Sequence, residues 1–410
     1  MSRYDYFILG IFILSPNVLT TFGIDLKIYY LFIILLSFIL IVINNNTFFQ
    51  KSIILKVIVI LCCCLCLWKL QTDHSPGMKI LSLNVMGMGV VFSCLPYAPL
   101  KKNKDRYLQF LLVFYIVLCV LSILERVFTQ HLFTFNVDAE EFGFIYYGDS
   151  MFRSFGLIGH PLQNALVVST IMSFILISKI RYKYWLWLLG YVAILCFNTR
   201  SSIFGNAALL IVYSLYENLS KKGSPKIFLF ATFFIVMTYI SIYYIGLGGR
   251  LLQYGLIDED GSAGVRIKIW SIFSYYGISD FLFGYNFDKI QLMLYSSGLR
   301  LTENFWLDYT FRYGFIAVIL LTILYSLFIH ELSRGFSKFD ICFTSATFLL
   351  LASTNNSLSC SWLPMYYFFY CYWVFRPQKA NISNLPLLRS KLRRSYVDVG
   401  SIIRKCKSIN

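Results

Sequence analysis

Charge is what this 410-residue chain has least of: Asp, Glu, Lys and Arg together make up 14% of it, where a soluble domain usually carries about 25%. Water is therefore excluded as its main solvent. Acids are scarcer than bases, 20 against 36, and there are only four histidines. His74, His131 and His330 lie apart and suggest no metal set. The sequence has no P-loop, no Ser-His-Asp arrangement, no dinucleotide fingerprint, no internal repeat and no low-complexity tract. Readings as a nucleotide hydrolase, serine hydrolase, nicotinamide enzyme or solenoid fall with them.

What the chain has is apolar surface. Hydrophobic residues make up 58% of it, with 39 Phe and 30 Tyr, and the mean hydropathy is +0.66. Helices of this composition are bulky and present rings at lipid interfaces. The segment after Met1-Ser2-Arg3 is apolar, contains Pro16 and Asn17, and lacks a small-residue cleavage site, so it reads as a retained first span. The eleven cysteines do not form a disulfide framework: Cys62, Cys63, Cys64, Cys66, Cys94, Cys119, Cys196, Cys342, Cys360 and Cys371 fall in or beside apolar runs, and Cys406 in the tail. Buried apolar thiols are the expectation, because a bridge or a zinc site needs clustered, facing cysteines.

A spanning helix takes about 20 mostly apolar residues. On that measure about twelve segments qualify: 5–22, 28–43, 53–70, 78–97, 107–128, 161–178, 184–198, 201–217, 226–246, 306–328, 340–354 and 358–375. The fold class expected is an all-α polytopic membrane protein, a single membrane domain over 1–375 followed by a basic cytoplasmic tail over 376–410. Alternate loops carry Lys51 and Lys56; Lys101, Lys102, Lys104 and Arg106; Lys179, Arg181 and Lys183; Lys221, Lys222 and Lys226; Arg334 and Lys338. The positive-inside rule puts these loops and both termini in the cytoplasm, with about 24 of the 36 basic residues. The net charge of +16 is thus a topology signal, and no stacking platform or groove-reading motif accompanies it to suggest nucleic acid. The tail reads as the same signal or as an anionic-lipid contact.

The opposite face has two long loops, about 129–160 and 247–305. Loops of that length among tight connections are functional or disordered. The second holds Trp270 and many apolar residues, and is expected to fold into amphipathic helices lying on the membrane surface. Arginines gain nothing in topology on this face, so Arg153, Arg200, Arg250, Arg266 and Arg300 become candidates for binding an anion: a guanidinium stays charged and grips phosphate oxygens bidentately. Arg200 stands out because it lies in the five-residue connection Asn198–Ser202 between two apolar runs. A snorkelling interfacial Arg is the alternative there.

The motifs on this face resemble those of a known family. Arg153-Ser-Phe-Gly156-Leu-Ile-Gly159-His160-Pro161, then Asn198-Thr-Arg200-Ser201-Ser202, then Arg266-Ile-Lys-Ile-Trp270 with Phe283-Gly284-Tyr285-Asn286, follow the order and spacing seen in the O-antigen polymerase and ligase superfamily. Glu303-Asn304, with Gly314 ahead of the next apolar run, is similar to the family's His-Asn pattern but has Glu where ligases have His. The resemblance covers roughly residues 150–330; the first 150 match only as generic spans. It implies a GT-C-like architecture and a metal-independent, cofactor-free, inverting membrane glycosyltransferase. Its ligands would be polyprenyl-diphosphate-linked glycans as donor and acceptor, with membrane lipid and a chain-length regulator as further partners, at the bacterial inner membrane with the active site outward.

On that resemblance Arg200 and Arg266 hold the donor's diphosphate, with Arg153 and Arg250 as second choices. Glu303 is the general base, which requires burial to raise a carboxylate that ordinarily titrates near 4.3. An acid favoured by a helix N-terminus is its other reading. His160 binds phosphate or replaces the missing His, or else simply caps a helix; Asn304 joins the substrate site. Trp270 and Trp306 stack on sugars or serve as interfacial anchors. Asp258-Glu259-Asp260 looks like a metal-binding acidic triplet, yet ahead of Gly261-Ser262 a solvated turn is the plainer reading. Polymerase is the first functional expectation, since Glu replaces the ligase His. A ligase acting on lipid A core is the near alternative, and a lipid-oligosaccharide flippase the alternative of another class.

Overall fold

A computed structural model describes residues 19, 22–23, 53–72, 104–133, 152–220, 225–244, 246–248, 268–299, 302, 304–354, 357–360 and 363–377. Among the described residues every regular element is helical. In chain order they are α1 (Ile53–Thr72), α2 (Lys104–Phe128), α3 (Pro161–Ile177), α4 (Lys183–Phe197), α5 (Arg200–Ser220), α6 (Pro225–Tyr243), a 3-10 turn (Ile269–Tyr275), α7 (Ile278–Phe283), α8 (Phe287–Ser296), α9 (Phe305–Tyr313), α10 (Phe315–Leu332), α11 (Lys338–Ser353), α12 (Ser357–Cys360) and α13 (Leu363–Phe375). The expected segments 28–43 and 78–97, all but two residues of 5–22, and the tail beyond 377 lie outside the described residues. Two helices, α2 and α10, are long and apolar enough to cross a membrane.

Helix α3 is the axis of the bundle. Pro161 opens it where its missing N–H costs nothing, and nearly all of its residues are buried against α2, α4, α5, α11 and α13. A helix buried on every side should be apolar all round, yet α3 carries Asn164, Ser169, Thr170 and Ser173 in the interior. Their hydroxyls are satisfied at once: Ser169 donates to Ala165 O, Thr170 to Leu166 O and Ser173 to Thr170 O at 2.6–2.7 Å, the local back-bonding open to these residue types. Asn206 of α5 reaches across to Ser169 Oγ at 2.7 Å. Close approach is set by glycine. A Cβ on Gly190 of α4 would stand 2.0 Å from Tyr115 Oη and 2.7 Å from Met172 Sδ, so Gly190→Ala would force apart three helices.

Outward faces are apolar too. Helix α2 exposes Val113, Ile116, Val117, Val120, Leu124 and Val127, one stripe at helical spacing, and α10 exposes Phe315, Ile316, Ile319 and Ile323. Stripes of this extent are uncommon on proteins that meet only water. Eight of the described cysteines are free: Cys62, Cys66, Cys119, Cys196 and Cys371 are buried, Cys63 is half-buried, and Cys64 and Cys342 are exposed.

One end of the bundle gathers cations on helix C-termini. Lys183 donates to Leu176 O in the last turn of α3 at 2.8 Å and to Tyr213 Oη at 2.7 Å. Arg376 donates to Arg334 O at 2.9 Å, and Lys104 to Arg376 O at 2.5 Å. Positive charge at carbonyl-bearing ends opposes the helix dipole favourably.

One expected span is broken among the described residues. The segment 306–328 divides at Gly314 into α9 and α10. The break has a mechanical cause: α9 faces two cores at once. Phe305, Tyr309 and Tyr313, four residues apart, enter the main core. Leu307 and Phe311 join Ile269, Ile272, Ile290, Leu294 and Leu299 in a smaller core under the 3-10 turn and α8. A straight continuation through Gly314 could not serve both. The long loop 247–305 thus holds short helices, as expected, packed on α9.

Candidate functional site

The end of the bundle opposite the cation-rich one collects the motifs, and they meet in pairs. The loop 152–160 is hydrogen-bonded to the turn between α4 and α5: Ser154 N donates to Cys196 O at 3.1 Å, Arg153 Nε to Phe197 O at 3.3 Å and Asn198 Nδ2 to Phe152 O at 3.4 Å. Asn198 makes the turn possible by taking the left-handed conformation, φ 53°, which Asn tolerates better than other side chains. The segment carrying Arg153 is therefore held beside the turn that leads into Arg200, although the two arginines are 47 positions apart in sequence.

Helix α5 begins there without an acid in its first turn and with Arg200 at its first position. The Thr199 hydroxyl just ahead of it is buried and finds no hydrogen-bond partner among the described residues. Helix N-termini direct N–H groups and a partial positive charge outward, so a guanidinium at that point adds to a field already favourable to an anion.

His160 is the N-cap of α3, and its Nδ1 accepts from Leu162 N at 3.3 Å. With Nδ1 occupied as an acceptor, the proton of the neutral ring sits on Nε2. Burial, reinforced by the Arg153 charge, holds the imidazole down at about 3. His160 is thus a neutral hydrogen-bond donor, with no lone pair left to take a proton from an acceptor sugar.

The second pair of motifs is joined through backbone. Gly284 and Gly314 end α7 and α9 in almost the same conformation, φ 78° and 87°. A Cβ on Gly284 would lie 2.5 Å from Arg312 O, and one on Gly314 would lie 2.2 Å from Leu282 O. Tyr285 N donates to Phe311 O at 2.7 Å. Beside this contact Asp308, fully buried, accepts from Thr302 Oγ1 at 2.6 Å and from Arg312 Nε at 2.8 Å. Lys69, buried near the end of α1, donates to Gly284 O at 3.4 Å. Helix α12 connects the two pairs: Tyr309 donates to Leu358 O at 2.8 Å, and α12 packs on α3.

Other predicted residues have structural tasks. Asn304 caps α9, its Oδ1 accepting from Trp306 N at 2.9 Å and Leu307 N at 3.3 Å. Trp306 is half-buried and its indole N–H is given to Ser353 Oγ at 2.9 Å, fastening α9 to α11. Trp270 is 61% exposed on the 3-10 turn, tilted against Phe273. Glu303, Arg250, Arg266 and Arg300, and the triplet Asp258-Glu259-Asp260, lie outside the described residues.

Sequence reasoning missed Glu125, Arg126 and His131 at the end of α2, and Lys69, Asp308 and Arg312. Only Asp308 and Arg312 carried a readable signal, opposite charges four residues apart on one helix. Comparison of the sequence with protein-family models and with curated proteins gives no match to either.

Proposed function

We propose that this chain is a multi-spanning membrane glycosyltransferase. It polymerises polyprenyl-diphosphate-linked repeat units into O-antigen or capsular polysaccharide on the outer face of the bacterial inner membrane, with both termini and the cation-rich end in the cytoplasm. The observation that carries the reading is the hydrogen-bonding of the Arg153 segment to the turn from which Arg200 opens α5. Exposed apolar stripes on α2 and α10, the gathering of basic loops at the other end, and the resemblance of the motif order to the O-antigen polymerases support it.

In the reaction the acceptor hydroxyl oxygen attacks the donor's anomeric carbon from the side opposite the diphosphate. The new C–O bond forms as the C–O bond to phosphate breaks, and the electron pair leaves with the diphosphate. Arg200, the first N–H groups of α5 and Arg153 meet the developing negative charge, with Arg266 and Arg250 as further donors; preorganised donors of this kind supply the largest share of such catalysis. His160 contributes Nε2–H. Glu303, next in sequence to the cap of α9, takes the acceptor's proton.

The test uses purified protein and its lipid-diphosphate repeat unit, with products sized by gel. A ladder of longer lipid-linked glycans is expected, and Glu303→Gln should slow it by about 100-fold or more. Absence of a ladder sinks the polymerase; transfer only to added lipid A core would make the enzyme a ligase.

A further inference from the structure

The segment carrying Arg153 is held on one side by the end of α2, and each contact is made to loop backbone or to a ring flanking Arg153. Glu125 is fully buried. Its Oε2 accepts from Phe155 N at 2.8 Å and Gly156 N at 2.9 Å, and its Oε1 from Leu132 N at 3.1 Å. Arg126 donates to Phe152 O at 3.4 Å and to Gly246 O at 3.3 Å. Ser154 Oγ donates to Ser122 O at 2.7 Å. The His131 ring lies parallel between Phe152 and Phe155, with centroids 4.9 and 4.1 Å away.

A buried carboxyl is costly unless its lone pairs are met. Here three N–H groups arrive on its two oxygens, whereas a Gln in its place offers a single acceptor oxygen. Gly156 permits the approach: it sits at φ 54°, and a Cβ there would meet Leu118 Cδ1 and Ser122 Oγ at 3.0 Å.

The geometry points to Glu125 as the positioning residue for Arg153: it fixes the backbone just after Ser154, while Arg153 Nε reaches Phe197 O at the α4–α5 turn, so that the guanidinium is held there and, with Arg200, receives the diphosphate. This inference rests on the function proposed above. Glu125 touches no substrate and acts through Arg153 alone.

The test is a double-mutant cycle read by binding of a short-chain polyprenyl diphosphate to the full-length protein in detergent, alongside thermal melting. Glu125→Gln should weaken binding by about tenfold. Arg153→Ala should weaken it by at least as much, and the double variant should bind no worse than Arg153→Ala, because a misaimed group and a missing one are equivalent. If Glu125→Gln does not fold, Ser154→Ala loosens the same loop from its other tether and enters the cycle instead. Additive losses with intact wild-type binding would overturn the positioning role and leave the proposed function standing. Failure of the wild type to bind the probe would overturn both.

Discussion

Helices α5 and α11 pack antiparallel and begin at opposite ends of the bundle, and their first turns are built to different ends. At α11 the sequence Ser337-Lys338-Phe339-Asp340 closes on itself: Ser337 Oγ accepts from Asp340 N at 3.1 Å, and Asp340 Oδ2 from Ser337 N at 3.3 Å. This capping box satisfies donors and dipole together. At α5 the first turn has no acid, Arg200 stands at its first position, and the Thr199 hydroxyl does not cap. One start is finished by an acid of its own first turn. The other carries a base where α11 carries an acid, so the two first turns differ in the sign of the charge set on the helix dipole.

The contrast fails outright if Arg200 is dispensable. Arg200→Ala should reduce glycan polymerisation on the order of 100-fold, Arg200→Lys by about tenfold because the planar fork is lost, and Lys338→Ala, at the corresponding position of α11, should leave turnover unchanged. Equal effects at the two positions would erase the distinction between the helix starts.

A second comparison sets two left-handed glycines against each other. Gly314 at the motif end would place a Cβ 2.2 Å from Leu282 O, whereas Gly335 at the cation-rich end has nothing nearer than Pro377 O at 3.6 Å. Gly335→Ala should cost only the conformational strain, about 1 kcal/mol. Gly314→Ala must displace backbone and should cost several kcal/mol, about 3 or more, seen as a larger fall in melting temperature. Similar melting shifts would show that the backbone contact yields easily.

Acid should also attack the motif end first. Burial holds His131 at about 4 in the folded protein, against an ordinary 6.5. The unfolded chain therefore binds a proton that the folded one does not, so this contribution to stability is complete above about 6.5 and is lost as pH falls toward 4. Melting temperature should drop between pH 7.5 and 5, and His131→Phe, which keeps a flat ring between Phe152 and Phe155, should lessen the drop. An unaltered slope would clear His131 of the effect. The smallest change is expected from Ser337→Ala, which opens the capping box: about 1 kcal/mol of stability with polymerisation untouched. Lost activity in that variant would mean the cation-rich end is coupled to the site.

The helices were legible because their signal is local. The apolar runs 161–178, 184–198 and 201–217 correspond within a few residues to α3, α4 and α5, and even the five-residue connection at Asn198–Ser202 is where the chain turns. The break at Gly314 was not legible, since hydropathy runs through it; what stops the helix is Leu282 O, thirty-two positions upstream. The site divides the same way. Arg153 and Arg200 stood out because arginine is unexpected on that face, but the cap made by Asn304 and the bond from Trp306 to Ser353 were not legible, since nothing in sequence tells which partner a side-chain amide or indole N–H will find. Glu125 carried no signal in the sequence. Its value lies in N–H groups seven to thirty-one residues away, which only folding brings within reach.

The back-to-back contact of Gly284 with Gly314 has an evolutionary corollary. A Cβ at either position would strike the backbone of the opposing turn, Arg312 O and Gly314 N for Gly284, Leu282 O and Phe283 C for Gly314, so no first step away from glycine is open at either position while that backbone stays put. A graft of one turn into another scaffold would therefore have to carry the other with it.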